Sequence, residues 1–174
     1  VSILGVVIVL FTIIYGHHYE YHYAWSHSSN SLPWYYMISC FWEGQEGSFL
    51  LWIFWHVVLG AVLINVNKKW ETSLMTIFCS VQTFLISMII GVVLPFINIK
   101  IGSSPFILLK EYMSNLPVYA INPDFVPKDG SGLNPLLQNY LMVIHPPTLF
   151  MGFAATIIPF AYLIAGLWQK QYKE

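Results

Sequence analysis

Six histidines are the first candidates for chemistry in this 174-residue sequence, because histidine is the commonest metal and haem ligand among side chains. Five of them, His17, His18, His22, His27 and His145, fall between the long apolar runs or at their edges, and His56 lies inside one. His18 and His22 have the helical i, i+4 spacing that in principle suits a metal. The interleaved Tyr15, Tyr19, Tyr21, Tyr23 and Trp25 favour a different reading, amphipathic rings collected where lipid headgroups begin. His145 differs from the rest. It stands in Leu-Met-Val-Ile-His-Pro-Pro at the mouth of an apolar run, where an ionisable side chain is costly unless paired or functional. Pro146 is expected to push His145 away from helical geometry, and Pro147 suits the first turn of the helix that follows. The imidazole is then held at a helix entrance, either as a functional group facing solvent or a cavity, or as a cap near the headgroups.

Two further segments stand out. In Trp42-Glu43-Gly44-Gln45-Glu46-Gly47-Ser48 the glycines allow tight turns. Ser48 is expected to cap a helix that starts at Phe49, with Glu46 near its positive end. Trp42, Trp52 and Trp55 group around this turn as belt aromatics or as a platform for a flat apolar ligand. The third segment, Asp129-Gly130-Ser131-Gly132-Leu133-Asn134-Pro135-Leu136-Leu137-Gln138, reads as a turn leading towards His145, with Asn134 and Gln138 placed to satisfy backbone groups. No catalytic triad, phosphate loop or paired-carboxylate arrangement is visible. Cys40 and Cys79 are too far apart in sequence for a C-x-x-C pair and read as small packing residues.

The elements that must position these groups are membrane helices. The chain is 57% hydrophobic and 9% charged, against roughly 25% charged residues in a soluble domain, and its apolar residues lie in long runs. Seven lysines, no arginine and a net charge of -1 argue against nucleic-acid binding, which needs a basic patch. The expected fold is an all-α polytopic bundle in a single membrane domain, with spans at about residues 1–15, 48–66, 73–94 and 141–168. The first is short for the ~20 residues of a crossing, and Pro95 is expected to stop the third. Lys68 and Lys69, together with Lys170 and Lys173, place the short turn and the tail on the cytoplasmic side. Residues 16–47 and 95–140 are then structured outer-face loops. Within the second, residues 104–113 are expected to form a short amphipathic interfacial helix. His56 and Gln82 are the polar groups inside the spans and are expected to make helix–helix hydrogen bonds.

Three stretches, WSHSSNSLP at 25–33, FWEGQEGSFLLW at 41–52 and GLNPLLQNYLMVIHPPTLFMG at 132–152, resemble the haem-handling, haem lyase family of cytochrome c biogenesis proteins (the CcmF/CcsA type). N-P-L-L-Q combined with H-P-P is the most specific part, and Ser104-Pro105-Phe106 adds to it. The resemblance implies a bacterial inner-membrane protein whose outer face receives haem b and presents it to apocytochrome c, working with a haem chaperone or other maturation subunits. It assigns His145 as the first of a pair of outer-face histidines, the axial ligand to haem iron. Trp42, Gly44, Glu46, Gly47, Asn134, Gln138, Pro146 and Pro147 are then site-shaping residues with no assigned chemistry.

The family's tryptophan-rich W-G-x-x-W-x-W-D segment and its second histidine have no counterpart in these residues. The sequence therefore reads as the front portion of such a protein or as one subunit of a split one, and is not expected to complete a haem site alone. The alternative is a non-catalytic membrane scaffold that docks a partner carrying the haem site. A transporter is disfavoured, since the spans carry no Lys, Asp or Glu in their apolar cores.

Overall fold

The computed structural model describes residues 2–94 and 99–170. The chain forms a helical bundle with a folded cap at one end. In order, its elements are α1 (Ser2–Tyr15), α2 (His22–His27), α3 (Trp34–Glu43), α4 (Gln45–Val66), α5 (Glu71–Ile90), β1 (Val92–Leu94), β2 (Ile99–Ile101), α6 (Leu109–Tyr112), α7 (Pro117–Ile121), a 3-10 turn (Pro135–Leu137), α8 (Tyr140–Ala155) and α9 (Ile157–Trp168). Among the described residues three stretches are long and apolar enough to cross a membrane: Gln45–Val66, Glu71–Ile90 and the α8–α9 pair Tyr140–Trp168. Helix α1 is apolar but shorter, about 21 Å at 1.5 Å per residue.

Helix α4 packs between α5 and α8, α5 packs against α9, and α1 lies against α3 and α4. Among the described residues, two apolar cores result. One joins Leu10, Ile14, Tyr23, Cys40, Phe41 and Leu50 where the cap meets the bundle. The other joins Leu63, Leu74, Phe78, Ile157, Ala161 and Ala165 at the far end, where α4, α5 and α9 meet. Large apolar side chains such as Ile8, Phe84, Ile144 and Leu163 remain exposed around the outside, as expected where lipid is the solvent. Gln82 Nε2 donates to the Ile53 carbonyl at 3.2 Å, a hydrogen bond between α5 and α4 of the kind expected from sequence. His56 is buried beside it, against the rings of Trp52 and Phe78.

Several boundaries differ from the sequence-based expectation, each for a local reason. Helix α4 begins at Gln45, so Ser48 is not its cap. Ser48 lies inside the first turn, and its hydroxyl donates back to the Trp42 carbonyl at 2.7 Å. Helix α5 stops at Ile90 because Gly91 takes the left-handed conformation at φ 70°, which glycine adopts without strain. The chain then enters an antiparallel ribbon with Val92 opposite Ile101, and Pro95, the expected stop, lies outside the described residues. The expected helix over 104–113 shrinks to α6. Backbone groups of Ile107 and Leu109 pair instead with His22 N–H at 2.9 Å and the Glu20 carbonyl at 2.7 Å, forming a bridge between Tyr21 and Leu108. The break between α8 and α9 falls at Thr156, three residues before Pro159, which has no N–H to give the Ala155 carbonyl.

Candidate functional site

The site is assembled where the cap meets the entrance of α8. Helix α8 starts at Tyr140, with the Asn139 side chain accepting Leu141 N–H at 3.0 Å as its cap. It continues through Pro146 and Pro147 to Ala155, so His145 sits inside the helix rather than at a non-helical entrance. The disruption expected from Pro146 is met from another helix. Pro146 has no N–H for the Met142 carbonyl, and the Trp42 indole N–H donates to that carbonyl at 3.2 Å. Thr148 Oγ1 donates to the Ile144 carbonyl at 3.0 Å. His145 itself is exposed on the helix surface.

Trp42 comes from the end of α3, and the residues after it turn sharply into α4. Gly44 and Gly47 are buried there for want of room. A Cβ on Gly47 would strike the Phe41 carbonyl and the Tyr23 hydroxyl, and one on Gly44 would strike the Tyr23 and His27 rings. Tyr23 is the post around which the turn is built. Its hydroxyl donates to the Phe41 carbonyl at 2.8 Å and accepts from Gly44 N–H at 3.2 Å. Burial holds its pKa well above the usual phenol range. Glu46 lies in the first turn of α4 with its charge near the helix N-terminus.

Glu43, which sequence reasoning did not single out, links the two halves of the site. Its Oε1 accepts Asn134 N–H at 2.9 Å. Its Oε2 stands 3.2 Å from His27 Nδ1, an ion-pair contact too poorly aligned to count as a hydrogen bond. Asn134 and Gln138 behave as expected. Asn134 Oδ1 accepts Leu136 N–H at 3.0 Å, and Gln138 Nε2 donates to the Leu133 carbonyl at 3.0 Å. Tyr36 from α3 donates to the Gln138 carbonyl at 2.9 Å. A cavity of about 250 Å³ remains between these elements, lined by Ser39, Trp42, Glu43, Leu137, Met142 and Pro146 among others. Thus Trp42, Gly44, Gly47, Asn134, Gln138 and Pro146 form one cluster, and His145 stands on the adjoining surface of α8. The signal for Glu43 was its charge at the end of an otherwise apolar helix, Trp34–Glu43.

The remaining histidines do not converge. His17 Nδ1 meets the Tyr19 hydroxyl at 2.9 Å, and His18 Nδ1 meets Glu20 Oε1 at 3.1 Å. His22 stacks on Tyr112 at 3.6 Å, and burial followed by the field of His27 lowers its pKa. Helix α2 starts only at His22, so the i, i+4 spacing from His18 is never helical. Among the described residues no group of three or more His, Cys, Asp or Glu could hold a metal ion. Tyr19 and Tyr23 depart from the headgroup reading, being buried within the cap, while Tyr15 is exposed. The three tryptophans do not form one platform. Trp42 turns to Met142, Trp52 packs on Phe150 and Phe153, and Trp55 lies beside Phe54.

Comparison with known proteins addresses the same residues. The family model described as Cytochrome C assembly protein matches residues 42–174. A cytochrome c-type biogenesis protein CcmF of Pseudomonas fluorescens is 32% identical over 145 residues, covering 83% of this chain and 19% of that protein. The CcmF of Escherichia coli K12 is 30% identical over 166 residues, covering 95% and 23%. A protein NrfE of Haemophilus influenzae, with the same cytochrome c-type biogenesis description, is 30% identical over 149 residues, covering 86% and 20%. The chain therefore spans about a fifth of the length of the curated relatives it matches. No solved structure matches it.

Proposed function

The chain belongs to the cytochrome c assembly protein family, and from that membership we propose that it handles haem b for covalent attachment to apocytochrome c. In this reading the protein lies in the bacterial inner membrane with its cap on the outer, periplasmic face. Lysines 68 and 69 face the cytoplasm, where short basic loops are retained. His145 offers an imidazole to haem iron from the surface of α8, as one axial ligand. Trp42, Gly44, Glu46, Gly47, Asn134, Gln138, Pro146 and Pro147 set where that helix stands. The second axial ligand comes from another segment or subunit. Apocytochrome c supplies the thiols, and each S–H adds across a haem vinyl group to give a thioether with no net oxidation. Such a reaction asks chiefly for positioning, as expected of a haem lyase component. A haem chaperone or other maturation subunits deliver the substrate.

The observation that carries this reading is the convergence of the 41–52 and 132–152 stretches, distant in sequence, into one hydrogen-bonded unit beside His145. Its test is the absorption spectrum of the chain purified in mild detergent together with its maturation partners from haem-sufficient cells, alongside holocytochrome c yield. A Soret band that disappears in His145→Ala, with a matching fall in yield, is the expected result. Full band and full yield in that variant remove His145 from the mechanism.

A second reading draws on the exposure of His145. The nearby cavity takes Pro146 as its wall, and the imidazole stands on the outer surface of α8. A scaffold that presents this surface to a partner carrying the haem site fits that arrangement. A purified chain with no haem, whose His145→Ala form still loses partner binding, selects the scaffold.

A further inference from the structure

Helix α8 passes through two consecutive prolines, and the last two residues of α3 hold the chain on either side of its entrance. The Met142 carbonyl lost its helical donor to Pro146, and it is taken by the Trp42 indole N–H at 3.2 Å. Glu43 grips the other end. Its Oε1 accepts Asn134 N–H at 2.9 Å, at the start of the 3-10 turn that feeds α8. A cavity of about 250 Å³ lies beside both grips, lined by Ser39, Trp42, Glu43, Leu137, Met142 and Pro146 among others. Glu43 is costly to keep there. Its side chain is 11% exposed, and an enclosed carboxylate persists only where it is held by partners.

We propose that Trp42 and Glu43 are positioning residues for His145. They form a two-point clamp, indole N–H on Met142 and carboxylate on Asn134, that fixes how α8 presents its imidazole. The functional half of this inference rests on the haem-ligand reading above, and the structural half on geometry alone.

The test uses the full chain in mild detergent, with hydrogen exchange on the haem-free protein and haem b titration in parallel. Trp42→Phe keeps an aromatic ring and deletes the donor. Glu43→Ala removes the acceptor for Asn134, and Glu43→Gln keeps one. Amide exchange should rise about fivefold across residues 141–148 in Trp42→Phe, and by about as much across 134–138 in Glu43→Ala, the worth of one net hydrogen bond. Glu43→Gln should stay close to the parent. Haem affinity should fall by a similar factor in Trp42→Phe and Glu43→Ala and recover in Glu43→Gln. In a His145→Ala background neither change should weaken haem further, since coupled residues do not add.

Unchanged exchange in Trp42→Phe overturns the clamp, whatever haem does. Raised exchange with parental haem affinity, or losses that add to that of His145→Ala, overturns the positioning role and leaves the clamp standing. Haem binding that is absent in the parent or untouched by His145→Ala overturns the haem-ligand reading and the functional half with it, and exchange alone then decides the clamp. Where Glu43→Ala does not accumulate, Trp42→Phe carries the decision.

Discussion

Tyr23 shows how much of the site depends on a residue with no chemistry of its own. Its hydroxyl serves the Phe41 carbonyl and the Gly44 N–H together. Tyr23→Phe therefore leaves two buried backbone groups short of a partner, at roughly 1–3 kcal/mol, and thermal unfolding in detergent should show a loss of that size. Cys40 belongs to the same core. Burial, followed by the field of Glu43, pushes its thiol pKa up to about 12. Since the thiolate is the reactive form, Cys40 should resist maleimide at neutral pH until the protein is unfolded, and prompt labelling in the folded state would contradict the packing around it. The sequence made some of these residues legible and hid others. Asn134 and Gln138 act on groups two and five positions away, within reach of turn chemistry read from sequence. Glu43 meets a partner 91 positions distant, and alternation of Tyr with His looks the same in a folded cap as at a lipid interface.

At the scale of the element, α8 is the informative case. The H-P-P motif lies beside the Trp42 cluster, but local rules for proline predicted a helix entrance where the chain makes a continuous helix. Those rules describe a carbonyl left without a donor, and a tryptophan 100 positions away supplies it. Pro146→Ala restores the helical N–H to Met142 and removes part of the ~3 kcal/mol that proline costs inside a helix. The variant should melt at the same or a higher temperature, while the indole of Trp42 loses its partner and haem handling declines. A lower melting temperature would mean that proline is already relaxed in place by more than this one hydrogen bond. The apolar runs behind α4 and α5 were readable because hydropathy is a property of the segment itself. The ribbon of β1 and β2 was not, because it depends on a turn at Gly91 and on pairing partners five to nine residues away.

For the whole molecule, the bundle and the cap are stabilised differently. Between α4 and α5 the Gln82 hydrogen bond should be worth about 0.6 kcal/mol, typical of such contacts in membranes, so Gln82→Leu should be nearly silent in unfolding experiments. The cap is tied by charge. Asp129 Oδ1 accepts the N–H groups of Asn30 and Gly130, both at 2.8 Å. These two bonds hold the Asp129 carboxyl below its usual value of 3.8. A depressed carboxylate stabilises the fold above the unfolded-state pKa and loses that contribution as pH falls through the folded-state value. Asp129→Asn should accordingly be less stable than the parent at pH 7, and the difference should vanish in strong acid. A constant difference at all pH values would assign the effect to shape rather than charge.

The ties that close the cap also set a timetable for biosynthesis. Asn30 meets Asp129, Tyr36 meets Gln138 and Trp42 meets Met142 at separations of 99, 102 and 100 residues. Ribosomes add about 5–20 residues per second, so the first half of the cap waits roughly 5 to 20 seconds for its counterpart, with α4 and α5 made in between. During that interval Asn30, Tyr36 and Trp42 lack these partners, and the nascent segment is open to proteases and quality control. Slow codons or a stalled ribosome between residues 50 and 130 would lengthen this exposure without altering a single contact of the finished protein.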